Sequence, residues 1–109
     1  MTVRELANIS GFEAQCLPDA ERRINGAYVG DLLSWVMGRA NADNAWITIM
    51  SNVNVIAVAS LSDVSCVVFA EGVLPDAELI GVAKDKGINL ITSHMPAYET
   101  AVKISELLK

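Results

Sequence analysis

The sequence predicts a three-layer α/β domain, a mostly parallel sheet of about five strands with helices on both faces. Three observations carry this. Ala45 to Met50 is an apolar run interrupted only by Thr48, and continuous runs of this kind are strands buried on both faces, as in parallel sheets. Such runs alternate along the chain with segments of helical periodicity, which is the order that builds parallel sheets through right-handed crossovers. Polar residues stand where strand gives way to helix, as in Tyr28-Val29-Gly30-Asp31-Leu32-Leu33-Ser34 and in Ser51-Asn52 after the apolar run.

Taken in order, Thr2-Val3-Arg4-Glu5 has capping-box spacing and opens a short helix that ends near Gly11. Phe12, Ala14 and Cys16 alternate with Glu13 and Gln15, the pattern of a half-buried strand near a sheet edge. After the Pro18-Asp19 turn, Ile24 to Val29 forms a second strand weakened by Gly26. Asp31 can cap the next helix, whose core stripe is Leu32, Leu33, Val36, Met37 and Ala40. Trp35 projects from roughly the opposite face.

Asn41 to Asn44 is turn chemistry, and the buried strand follows. Val53 to Leu61 is valine-rich enough to be a strand, but Ser51-Asn52 lacks the glycine that a tight hairpin favours. A helix there completes a β-α-β unit with Ser65 to Ala70 as the next strand. Pro75 suits the first turn of the following helix, Asp76 to Lys86, which Gly87 ends. Ile88 to Thr92 is the last strand, and Pro96 starts a terminal helix with the stripe Ala97, Ala101, Ile104 and Leu108. The whole chain, residues 1–109, is one domain.

Composition narrows the function. The chain carries a net charge of −5 and has no basic cluster beyond Arg22-Arg23, which argues against nucleic acid and anionic membranes. Cys16 and Cys66 lie in apolar segments and read as free buried thiols. No basic segment followed by an apolar one opens the chain, and Val53 to Leu61 is too short to span a bilayer, so a cytoplasmic protein is expected. Apolar residues make up 52% of the sequence, slightly above the usual share, and the excess points to a surface covered by a partner.

No phosphate-binding loop, dinucleotide fingerprint or nucleophile elbow is present. A single histidine and two scattered cysteines do not build a zinc site. No catalytic residue, metal or cofactor is therefore assigned. Ligands of open parallel sheets bind outside the carboxyl ends of the strands, where helix N-termini favour anions. That geometry selects Ser51, Asn52, Asn54, Ser93 and His94 as candidate ligand-binding residues, with a nucleotide or phosphorylated metabolite as the ligand class. For Ser51 and Asn52 the alternative is capping or turn chemistry. For Asn54, in the first turn of an apolar helix, it is a buried structural amide. Trp35 is the candidate interface residue of a homodimer, since aromatic anchors are enriched in interfaces; the alternative is cover within the monomer.

Nearly the whole chain resembles the DRTGG domain family. The resembling segments are Tyr28 to Ser34, Trp46-Ile47-Thr48 through Ala57-Val58-Ala59, Val67-Val68-Phe69 leading to Gly72-Val73-Leu74-Pro75-Asp76, and Gly87 to Thr92 with the helix after it. The resemblance implies a non-catalytic dimerising or sensing module, similar in fold to the N-terminal domain of HPr kinase/phosphorylase. It also implies a role accessory to a larger metabolic or redox enzyme, hydrogenase-type in some relatives. The stretch corresponding to the family's signature is Met50-Ser51-Asn52-Val53-Asn54, which has no Asp-Arg pair. Without that arginine the exit lacks a bidentate anion ligand, and a weak or neutral ligand is expected in place of a tightly held polyphosphate.

Overall fold

Alternation of buried side chains along three central strands divides the molecule into two cores. In the computed structural model, which describes all residues from Met1 to Lys109, β3 (Asn44–Thr48), β4 (Cys66–Phe69) and β5 (Leu90–Ser93) are buried at every position. Trp46, Val67, Phe69 and Leu90 point into one core, against α2 (Leu33–Arg39), α3 (Asn54–Ser62) and α4 (Ala77–Lys86). Ala45, Ile47, Cys66, Val68 and Ile91 point into the other, against α1 (Val3–Ala7) and α5 (Ala97–Leu107). The expected order of five strands and five helices is present, including the helix at α3.

The sheet order is β1-β5-β4-β3-β2, with β1 (Phe12–Cys16) and β2 (Gly26–Val29) at the edges. β2, β3, β4 and β5 are mutually parallel, and β1 runs antiparallel to β5. A register shift between Ala14 and Cys16 changes the face that β1 presents. Phe12 therefore enters the α1/α5 core and Cys16 the other. Period-two alternation alone puts both residues on one face, and the bulge reverses that.

Local chemistry fixes the ends. Thr2 and Glu5 form the reciprocal capping box expected for α1, although that helix stops at Ala7, short of Gly11. Pro75 lies just before Asp76, whose carboxylate caps α4 by accepting from Leu79 N–H at 2.8 Å. Gly30 leaves β2 where a Cβ would stand 2.9 Å from the Tyr28 ring, so the exit admits only glycine without moving a ring packed against the core. On α2 the stripe is narrower than expected. Val36 is fully buried, Leu33 and Ala40 are partly so, and Leu32 and Met37 are half exposed.

Two polar knots close the amino-terminal end of the sheet. Asn89, buried in β4–β5 surroundings, donates to the carbonyls of Asp19 and Ser65 and accepts from Asp19 N–H, all at 2.8–2.9 Å. Arg22 bridges the carboxylates of Asp43 and Asp63 at 2.9 and 2.7 Å. Both cysteines are free and buried.

Replacing Asn89 with alanine strands one amide and two carbonyls in the interior. Asn89→Ala is expected to cost about 2–4 kcal/mol in urea unfolding with an unchanged slope. Cys66 supplies a pH test. Burial pushes its thiol up from the ordinary value of 9.0 to about 12. The folded state then keeps a proton that the unfolded chain releases. This contribution is complete below about pH 9 and is lost as pH rises toward 12, by at most about 1.4 kcal/mol per pH unit. The stability gap between the native protein and Cys66→Ala should narrow over that range.

Candidate functional site

The carboxyl ends of β2, β3, β4 and β5 line up along one rim, and the chain itself occupies most of the polar positions there. Asp31, at the exit of β2, does not cap α2; Leu32 holds the cap position with no side-chain hydrogen bond. The Asp31 carboxylate instead accepts from the Thr48 hydroxyl at 2.8 Å and from Ile49 N–H at 3.0 Å. Thr48 is a buried polar residue at the end of β3, and its hydroxyl needs a partner. Above it, the Trp46 indole N–H donates to the Gly30 carbonyl at 2.9 Å. These three bonds lock the exits of β2 and β3 together.

Ser51 is half-buried in the loop after β3, and Asn52 is exposed. The Asn52 side-chain oxygen accepts from Asn54 N–H at 2.9 Å, which is the turn chemistry weighed for it. Asn54 begins α3 but is exposed. The expectation of a buried amide there is corrected: at the first position of α3 the side chain faces water, and the inward residues are Val55, Ile56, Val58 and Ala59.

Ser93 is fully buried, and its hydroxyl is committed to Thr100 Oγ1 at 2.8 Å and to Met95 N–H at 3.1 Å. His94 is exposed, with Nε2 4.0 Å from a Glu13 carboxylate on the β1 edge. A contact so long and so open to solvent is worth little. Because β4 lies between β3 and β5, the two groups of candidates sit about 10 Å apart at ordinary strand spacing. Ser51, Asn52 and Asn54 form one cluster and Ser93 and His94 another; the structure does not bring them into contact.

Helix N-termini along the rim are also engaged. Glu71 at the exit of β4 accepts from Ala97 N–H at 2.8 Å, putting a carboxylate at the start of α5. Asp76 does the same for α4. At these two helices the position an anionic ligand would take is held by the chain's own carboxylates.

Sequence reasoning missed an apolar groove of about 380 Å³ between α3 and α4, lined by Val53, Ile56 and Leu61 of the α3 segment and Val82 of α4, with Ser60 and Lys86 at its polar edge. Its volume lies within the range of small-molecule sites. The signal was present: α3 is apolar nearly all round, and such a helix asks for cover on more than one side. No helix is long and apolar enough to cross a membrane.

No protein-family model matches the sequence, and no curated protein matches it. Among solved structures, the fold is similar to the CBS and DRTGG domains of the regulatory region of a Clostridium perfringens pyrophosphatase, crystallised with its activator diadenosine tetraphosphate. The TM-score is 0.64 at 19% sequence identity. The superposition covers 84% of this chain and 40% of that one. The protein thus has an α/β fold of the kind found in that regulatory region.

The carboxylate lock is testable. Asp31→Ala should destabilise the protein by about 1–3 kcal/mol by removing the acceptor of the Thr48 hydroxyl and of Ile49 N–H. Asp31→Asn, which keeps an acceptor oxygen, should recover most of the loss in the same unfolding experiment.

Proposed function

We propose that the protein is a non-catalytic regulatory domain of DRTGG type that acts as a homodimer and serves a larger metabolic or redox enzyme. The observation that carries this is the fold shared with a pyrophosphatase regulatory region, on a chain most of whose strand-exit carboxylates and hydroxyls are engaged by its own loops. Ser93 is buried and bonded to Thr100, and the groups at the exits of β2 and β4 hold backbone amides. These are the contacts of a rigid scaffold. The exposed ring of Trp35, with the Arg39 guanidinium 3.7 Å from its centroid, supports the dimer. Light scattering at micromolar concentration should give twice the chain mass, and Trp35→Ala should weaken association by about 2 kcal/mol or more with the fold intact. A monomer at that concentration sinks the dimeric reading.

A second reading is a sensor of a nucleotide or phosphorylated metabolite, placed at Ser51, Asn52 and Asn54 or at His94. It is favoured by the nucleotide activator bound to the pyrophosphatase region. A ligand that binds only the folded state raises the melting temperature. A thermal-shift screen of nucleotides and phosphorylated metabolites separates the readings. A shift abolished by Asn54→Ala or His94→Ala locates the site, one that survives both moves it elsewhere, and no shift with any compound leaves the structural role.

A further inference from the structure

The two edges of the sheet are built differently. β1 carries an exposed Glu13 and the register shift between Ala14 and Cys16. Charge and a bulge are devices that keep an edge strand from pairing with another chain. β2 has neither. Its sequence is Gly26-Ala27-Tyr28-Val29, in regular parallel register with β3 and free of charge and proline. Just upstream, Met1 and Val3 cover the chain by pairing with Ile24 and Arg22, and this cover stops before β2 begins. Gly30 N–H donates to the Ile47 carbonyl. By the alternation of a parallel ladder, the backbone groups of Ala27 and Val29 then face away from the sheet.

The layers beside this edge are apolar as well. Leu32, Trp35 and Arg39 share one flank of α2 by their i, i+3, i+7 spacing. In a right-handed crossover from β2 to β3 this flank faces the free edge, and α3 lies on the other side. α5 packs over β2 and β3 while α1 packs over β1, so the Tyr98–Val102 flank of α5 borders the same edge. Val29, Leu32, Trp35, Tyr98 and Val102 are 38 to 77% exposed. The one charge among these side chains and Arg39 is the guanidinium stacked on Trp35.

We propose that this face is a two-fold interface between copies of the chain. β2 of one copy pairs antiparallel with β2 of the other, joining two five-stranded sheets into one, with α2 and α5 flanking the seam. The inference rests on the dimeric reading above and names its surface. A strand meeting its own copy across a two-fold axis must run antiparallel, and the contact closes on itself. Ala27 then faces Val29 of the second copy, and the free amides and carbonyls of both find partners.

The area agrees. The exposed parts of the five side chains leave roughly 350 Å² of apolar surface per copy. At the ~60% apolar share of protein interfaces this corresponds to about 600 Å² a side, near the lower end of stable dimers. The α3/α4 groove has no free strand edge, so it offers no comparable backbone pairing.

The experiment is light scattering and sedimentation on the full chain, with backbone hydrogen exchange at Ala27 and Val29. The native protein should be a dimer in which these two amides are protected and lose protection on dilution. Val29→Lys and Val102→Lys, both at exposed positions, should each raise the dissociation constant by about tenfold or more. Their circular dichroism should stay native. Ala14→Lys on the β1 edge and Leu61→Lys at the α3/α4 groove should leave the dimer unchanged. A dimer that survives both Val29→Lys and Val102→Lys overturns this interface while the dimeric reading stands. A dimer broken by Leu61→Lys alone moves the interface to the groove. A monomeric native protein overturns both.

Discussion

Burial of β3, β4 and β5 on both faces is the constraint on which the rest depends. A strand closed off from water on both sides cannot leave a polar group unpaired without losing about 1–3 kcal/mol for each. Buried polar residues in and beside these strands are therefore tied to neighbouring elements. Thr48 is tied to Asp31, Ser93 to Thr100, and Asn89 to Asp19 and Ser65. These bonds hold one strand's end to the next element, so satisfying the interior also fixes the strand register and the loops.

This constraint reshapes the carboxyl rim. In doubly wound sheets that rim is the usual ligand site, because loops there carry free amides and polar side chains. Here the exposed carboxylates of Asp31 and Glu71 accept from backbone amides at Ile49 and Ala97. A carboxylate at such an amide supplies the negative charge that a phosphate supplies elsewhere. An incoming anion would have to displace a covalently tethered competitor, which acts at high effective concentration. The cluster at Ser51, Asn52 and Asn54 is less committed, since only the Asn52 side chain is engaged and all three lie outside the core. Any ligand taken there meets hydrogen-bonding amides beside the apolar α3/α4 groove, through Val53, and no carboxylate lining that groove.

Element order and type were legible because the buried strands are short, largely apolar runs and most helices carry a stripe. Even α3, valine-rich and strand-like in composition, was fixed as a helix by the absence of hairpin chemistry at Ser51-Asn52. What was not legible depends on contacts between distant segments. Asp31 sits where a cap belongs, but its partner is 17 residues away, and only the isolated hydroxyl of Thr48 in an apolar strand hinted at it. Asn54 looked buried because its neighbours are apolar, yet the phase of α3 puts it outside. The side change within β1 comes from a bulge, which period-two alternation cannot show. The separation of Ser93 and His94 from the β3 exit follows from strand order, and local sequence does not carry strand order.

The proposed dimer follows from a different constraint, an unguarded edge strand with aromatic side chains on the helices beside it. The same side chains that pack an interior can pack an interface when a neighbouring copy excludes water. The contrast between the edges gives this direction. β1 spends a bulge and a charged residue on staying unpaired, and β2 spends nothing. An edge without such protection is the kind that pairs with another chain, because its free amides and carbonyls offer a template for a further strand. In the proposed dimer, the apolar surface on α2 and α5 beside β2 would make that pairing specific, since a second copy would have to match three layers at once and not a single strand.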